Sequence, residues 1–227
     1  MASADPPSGA RRGGTGFTPA GLTFWSLNVR GLNIPEKRSS LMRRLWAARA
    51  SVVFLQEMHF RQGDAPKLGD KRYSIGFYAN HPEAKKAGVA ILFTSTTQFH
   101  CTGLQADPQG RYLFIKGNIA DTTYTFACLY CPNRRQHTFI GQTLAKLGRF
   151  REGLLVVAGD FNLPLDPRRD TSRGVSTIPT HCLRATLRSL HKLGVGDREH
   201  GTVRPRAHDS TYECPPFQTH GKAVAVK

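Results

Sequence analysis

Acidic side chains are scarce in this chain. Sixteen Asp and Glu stand against 32 Lys and Arg in 227 residues, a formal net charge of +16 with a pI of about 10.2. Such an imbalance favours a polyanionic partner, nucleic acid first and an acidic membrane surface second. Long apolar runs are missing too, and none approaches the length a bilayer-crossing helix needs, so no membrane partner is expected. Cysteines are few, odd in number and scattered (Cys101, Cys128, Cys131, Cys182, Cys214), with no signal-peptide pattern before them. That excludes a disulfide framework and implies reduced thiols in an intracellular compartment. Cys128-Leu-Tyr-Cys131 has the C-x-x-C spacing, but no second pair follows at zinc-finger spacing, so these read as small residues of a buried strand. Internal repeats are absent. A small basic ribosomal or histone-like protein is also a poor fit, because such proteins rarely carry so many apolar strand-like runs.

With 39% hydrophobic residues the chain can bury one good core, which predicts a single domain over 21–227. Residues 1–20 are rich in Gly, Pro, Ala and Ser, include Arg11-Arg12-Gly13-Gly14, and predict a disordered basic tail. From Gly21 onward, apolar runs at 22–28, 51–56, 73–78, 87–93, 111–119, 122–131 and 153–160 recur between turn signals, as strands do. Helical spacing appears at 36–49, 138–150 and 180–193. Strands and helices mix without strict alternation, which favours an α/β sandwich of two sheets with outer helices over a pure βαβ repeat. Residues 163–177 read as a polar loop, and the closing Gly221-Lys-Ala-Val-Ala-Val-Lys227 reads as too bland for a finishing strand.

Three of the strand-like runs end in oxygen-bearing side chains. Leu22–Leu27 leads into Asn28, Ser51–Gln56 into Glu57, and Gly153–Ala158 into Gly159-Asp160-Phe161-Asn162. Such ends lie at the lip of a sheet, where layered α/β folds collect ligands and catalytic groups. Asn, Glu and Asp are the hard oxygen donors that Mg²⁺ prefers. Asp160 can orient or deprotonate a water, Asn162 can bond that water or a phosphate oxygen, and the Tyr130 phenol can bond a phosphate in its transition state. Taken together these groups suit metal-assisted hydrolysis of a phosphodiester. Each taken singly reads as well as an ordinary strand-end or core residue.

Five blocks occur in an order that resembles a known family: Ser26-Leu27-Asn28-Val29-Arg30-Gly31-Leu32, Gln56-Glu57-Met58-His59, Lys85 to Leu92, Tyr130-Cys131-Pro132-Asn133 and Gly159-Asp160-Phe161-Asn162. The chain resembles the endonuclease/exonuclease/phosphatase superfamily, and within it the apurinic-endonuclease-like domain of LINE-type (non-LTR) retrotransposons. The resemblance implies a two-sheet, DNase I-like α/β sandwich and a Mg²⁺ site (Mn²⁺ as the substitute) at Asn28, Glu57, Asp160 and Asn162. It further implies catalytic roles for Tyr130, Asp160 and Asn162, contacts to DNA by Asn133 and Thr211, and a nuclear location.

The resemblance frays after residue 193. Thr219-His220-Gly221-Lys222 is followed by Ala-Val-Ala-Val where the family pattern has Ile-Asp, and the family's terminal Asp-His pair does not appear. The sequence therefore reads as truncated at its C-terminus, with strands missing and nicking impaired. A catalytically dead basic DNA-binding remnant is the alternative, and a phosphatase of the same superfamily a further one.

Overall fold

Val52–Gln56, as apolar on one face as on the other, must be covered on both sides, and the fold supplies both covers. The computed structural model describes residues 22–66, 68, 70–163 and 179–195, together with the backbone of 222–225. Expectations for the 1–20 tail, for nearly all of the 163–177 loop and for Thr211 fall outside these residues.

Two sheets face one another. The first has strand order β1-β2-β4-β3, formed by β1 (Phe24–Asn28), β2 (Val52–Gln56), β3 (Ile75–Ala79) and β4 (Val89–Phe93). The second runs in sequence order through β5 (His100–Ala106), β6 (Tyr112–Ile119), β7 (Thr122–Tyr130), β8 (Leu154–Asp160) and β9 (Lys222–Ala225). Helix α1 (Pro35–Ala48) follows β1, α2 (Gln136–Phe150) follows β7, and α3 (Thr180–Lys192) lies between β8 and β9 in the chain. Among the strands of the described residues, β1/β2 and β7/β8 alone pair in parallel, each across a connection that contains a helix.

Strand alternation assigns every side chain to a layer. Val52 and Phe54 of β2, Ile91 and Phe93 of β4, Phe126 and Cys128 of β7, and Val156 and Ala158 of β8 point between the sheets and form the central core. The opposite phase of the first sheet (Val53, Leu55, Leu92) packs with Leu41 and Leu45 of α1. That of the second (Leu129, Leu155, Val157) packs with Ile140, Leu144 and Leu147 of α2 and Leu190 of α3. The result is a helix–sheet–sheet–helix sandwich, as the sequence predicts.

Two strands depart from the expectation. β5 was not foreseen, because as an edge strand it shows an inverted signal: Leu104 is exposed while Gly103 and Gln105 turn inward, and a bulge shifts its register between Cys101 and Gly103. The segment read as too bland to be a strand is also one. Lys222–Ala225 pairs antiparallel with β8, Ala223 opposite Ala158, so β8 is not left without a partner on that side. Backbone pairing needs no large side chain, which is why composition concealed it. Cys128 and Cys131 meet their expectation: both are buried, but they belong to the cores on opposite faces of the second sheet and cannot share a metal.

Candidate active site

The inward phase that builds the central core ends, at one lip of the sandwich, in polar residues. Asn28 closes the phase of Phe24 and Ser26, Gln56 that of Val52 and Phe54, Tyr130 that of Phe126 and Cys128, and Asp160 that of Val156 and Ala158. The two parallel pairs thus deliver their C-terminal ends to one place. The Asn28 amide Nδ2 donates to Glu57 Oε1 at 2.7 Å and to Asp160 Oδ2 at 2.7 Å, joining groups 132 residues apart in the chain and on different sheets. Its Oδ1 accepts the Arg30 backbone N–H at 3.1 Å. Asn28 is therefore saturated on its donor side, and in this arrangement it orients the carboxylates more than it presents a ligand oxygen.

Glu57 reaches this point through its backbone. In the strand's alternation it would point toward α1, but φ of +57° swings it back to the lip. The parallel ladder continues beyond the strands through Val29 N–H to the Gln56 carbonyl (2.9 Å) and Gly31 N–H to the Glu57 carbonyl (2.6 Å), which holds the turn in place. Gly31, with φ of +84°, leaves room for His59: a Cβ there would lie 3.2 Å from His59 Nδ1. The His59 ring in turn stands with Nε2 3.5 Å from Glu57 Oε2. Gly159 is required for a similar reason, since a Cβ would run into the Leu129 carbonyl of the neighbouring strand.

Asp160 is 5% exposed, and both its oxygens are engaged, Oδ2 by Asn28 and Oδ1 by the Asn162 backbone N–H at 3.0 Å. Asn162 sits at φ of +47° and donates one Nδ2 hydrogen to the Cys131 carbonyl at 2.6 Å, which leaves its side-chain oxygen and its second N–H to face a ligand. It can accept a bond from water or bind a cation, and its second N–H can donate to a phosphate oxygen. Burial, the Glu57 charge and a hydrogen bond with Glu57 push the Tyr130 phenol up to about 12, against the pull of Arg111. Asn133 is exposed in the loop before α2, where its backbone carbonyl accepts Gln136 Nε2 at 2.7 Å, and it is not drawn into the carboxylate cluster.

Three cationic or titratable neighbours escaped the sequence reading. Arg111 lies 5.4 Å over the Tyr130 ring, its backbone carbonyl accepts the Tyr130 N–H at 2.7 Å, and its buried Nη1 has no hydrogen-bond partner. Lys37, on the first turn of α1, donates to the Arg30 carbonyl at 2.8 Å and feels the Glu57 charge. His59 is the third, and it alone had a local signal, its place two residues after Glu57. Among the described residues no three His, Cys, Asp or Glu side chains are gathered as a metal centre. The lip offers two carboxylates with an amide oxygen beside them, and Mg²⁺ is commonly held that way, by one or two carboxylates plus waters and substrate phosphates. The donor set fits such an ion.

A profile of the Endonuclease/Exonuclease/phosphatase family matches residues 25–219, most of the chain. The Transposon TX1 uncharacterized 149 kDa protein of Xenopus laevis is 25% identical over 169 residues, which cover 68% of this chain and only 12% of that protein. An AP endonuclease from Archaeoglobus fulgidus superposes with a TM-score of 0.58 at 16% identity, covering 90% of this chain and 86% of the other. The Leishmania major AP endonuclease gives 0.56 at 16% identity, with 75% and 66% covered. D. rerio TDP2, complexed with single strand DNA product, gives 0.50 at 18% identity, with 63% and 61% covered. These likenesses establish the fold as the sandwich of that group. Among the described residues no helix is long and apolar enough to cross a membrane.

Proposed function

The chain belongs to the Endonuclease/Exonuclease/phosphatase family, and within it we propose a divalent-cation-dependent phosphodiesterase that nicks DNA, of the kind that opens a target strand for a transposable element. The observation that carries this reading is the Asn28 amide shared between Glu57 and Asp160 at 2.7 Å each, which gathers two carboxylates from separate sheets at a single lip. Glu57, with Asp160 and the Asn162 side-chain oxygen nearby, would hold Mg²⁺ or Mn²⁺, and the bound cation supplies charge neutralisation at the phosphate.

The remaining chemistry falls to the chain's own groups. Asp160, fixed by two donated hydrogen bonds, orients a water and accepts its proton. Asn162 Oδ1 accepts the water's other hydrogen. Tyr130, protonated up to about pH 12, donates to a phosphate oxygen as negative charge develops there. Arg111, its Nη1 unpaired beside Tyr130, adds positive charge toward the same oxygens. Asn133 and Thr211 are proposed as contacts to the DNA backbone. The +16 net charge favours a nucleic-acid substrate over a lipid or nucleotide phosphate, and a nuclear location is part of the same proposal.

Nicking of supercoiled plasmid, with and without Mg²⁺ and with Asp160→Asn in parallel, tests the proposal. Relaxed circles that need both the metal and Asp160 support it. Folded protein that binds plasmid in a salt-sensitive way, indifferent to Asp160→Asn and without nicking, is a DNA-binding remnant and sinks it. Phosphate release from a small substrate without nicking makes it a phosphatase.

A further inference from the structure

We propose a second nucleic-acid site on the outer end of α1, where Trp46 serves as a stacking platform for a base of a single strand. This goes beyond the proposed nicking activity and does not depend on it. Helix α1 buries Leu41 and Leu45 on its inner face, yet Trp46 lies off that face and is 50% exposed. A solvated lysine or glutamate would serve helix stability there as well.

The indole is also held. Its Nε1–H donates to Asp70 Oδ2 at 3.0 Å, and Asp70 is itself fixed, with Oδ1 accepting the backbone N–H groups of Arg72 and Tyr73 at 2.8 Å each. Both oxygens of that carboxylate are engaged in anchoring. The ring's polar edge is consumed, and the Arg72 guanidinium lies over one face, 5.6 Å from the ring centroid, so it is the opposite face that a base would use. Met42, Arg43, Trp46 and Asp70 line an open cavity of about 330 Å³. That volume is at the low end of ligand pockets, about 300–1,000 Å³.

Charge selects the occupant. Arg43 lines the cavity and is exposed, Arg72 lies over the ring, and Lys71, between Asp70 and Arg72 in the chain, is exposed, while the acid that lines the cavity, Asp70, is already bonded. A rigid aromatic surface rimmed by guanidinium and ammonium groups is how proteins hold single strands without reading sequence: bases stack and phosphates pair with the cations. A duplex has no free base face to offer. The patch also lies apart from the candidate active site. Lys37 on the first turn of α1 borders Glu57, and from Pro35 to Trp46 the helix advances roughly 16 Å along its axis.

The test is fluorescence anisotropy of the Glu57→Gln protein in chelator, with a labelled dT oligonucleotide and a base-free chain of equal length. Trp46→Ala should weaken dT binding about ten- to a hundredfold and leave the base-free chain nearly unaffected, with Trp46→Phe within about threefold of the parent. Saturating dT should also quench indole fluorescence, and that quenching should vanish in Trp46→Phe, in which Trp25 is the remaining indole. This second measurement needs no Ala variant, so it decides the matter even if Trp46→Ala misfolds. Equal dT affinity with and without Trp46, equal loss on both ligands, or saturation without quenching would overturn the proposal.

Discussion

Two parallel strand pairs end at the same lip, and they present their carboxylates in opposite ways. Asp160 is the last residue of β8, in phase with the central core, 5% exposed and bonded at both oxygens. Glu57 stands one residue beyond β2, turned by a left-handed backbone, its side chain 20% exposed and 3.5 Å from the partly exposed His59 ring. One carboxylate is built into the wall; the other is hung at the rim. A group fixed by the wall suits water orientation, which tolerates little displacement. A group at the rim suits a cation that arrives with its own waters and a substrate phosphate. Asn28 couples the two, and so the difference between them can be measured.

Asp160→Asn should have the largest effect, a fall in nicking of roughly 10²–10³-fold that added Mg²⁺ does not restore, since the amide cannot take a proton and can accept from only one of the two N–H groups that hold the carboxylate. Glu57→Gln should cost about tenfold less and recover in part as Mg²⁺ is raised, because cation affinity is what it loses. Metal titrations of both variants check the contrast, and equal losses with equal indifference to metal would erase it. Asn28→Ala leaves two facing carboxylates without their shared donor. A loss of about 1–3 kcal/mol of folding stability is expected by urea unfolding, with nicking reduced by at least about tenfold. Tyr130→Phe should lower nicking by about ten- to a hundredfold without changing the shape of the rate profile between pH 6 and 9. The phenol holds its proton to about pH 12, so it contributes as a donor throughout that range.

The sequence made one half of this comparison more legible than the other. Three apolar runs ending in Asn28, Glu57 and Asp160 are local patterns, visible wherever a buried strand meets a polar stop, and the layers follow from period-two alternation. What no window could show is that Asn28 and Asp160, 132 residues apart, end in the same phase on facing sheets. Arg111 was invisible for the same reason: it stands just before β6 after an ordinary turn, and only the register of β6 on β7 carries it to Tyr130. The strands that were missed fail differently. β5 is an edge strand with its apolar side outward, and β9 is made of small residues, so neither carries the burial signal on which pattern reading depends.

The smallest predicted effect concerns the floor beneath the lip, where the two pairs meet without charge. Gln56 Nε2, from the first pair, donates to Ser26 Oγ and to Cys128 Sγ at 3.3 Å each, and the Cys128 thiol of the second pair donates to the Leu55 carbonyl at 3.5 Å. Burial pushes the Cys128 thiol from 9.0 up to about 12. A raised folded-state pKa means the unfolded chain releases its proton first. The stability tied to this thiol is therefore complete below about pH 9 and is lost as pH climbs from 9 toward 12. Each such group contributes a slope approaching about 1.4 kcal/mol per pH unit within its window. Cys131 is shifted the same way, chiefly by burial, but it lies on the α2 side of the sheet and takes no part in the junction. Urea unfolding at pH 7, 9 and 10 should show wild-type stability falling between the last two. Cys128→Ser and Cys131→Ser should each remove part of that fall, because a serine hydroxyl does not titrate there. Only Cys128→Ser should also change nicking at pH 7, by a few-fold at most, because it alone stands between the pairs that position Glu57 and Asp160. A nicking change from Cys131→Ser of the same size would mean that the lip is set by the sheet as a whole and not by the junction of the two pairs.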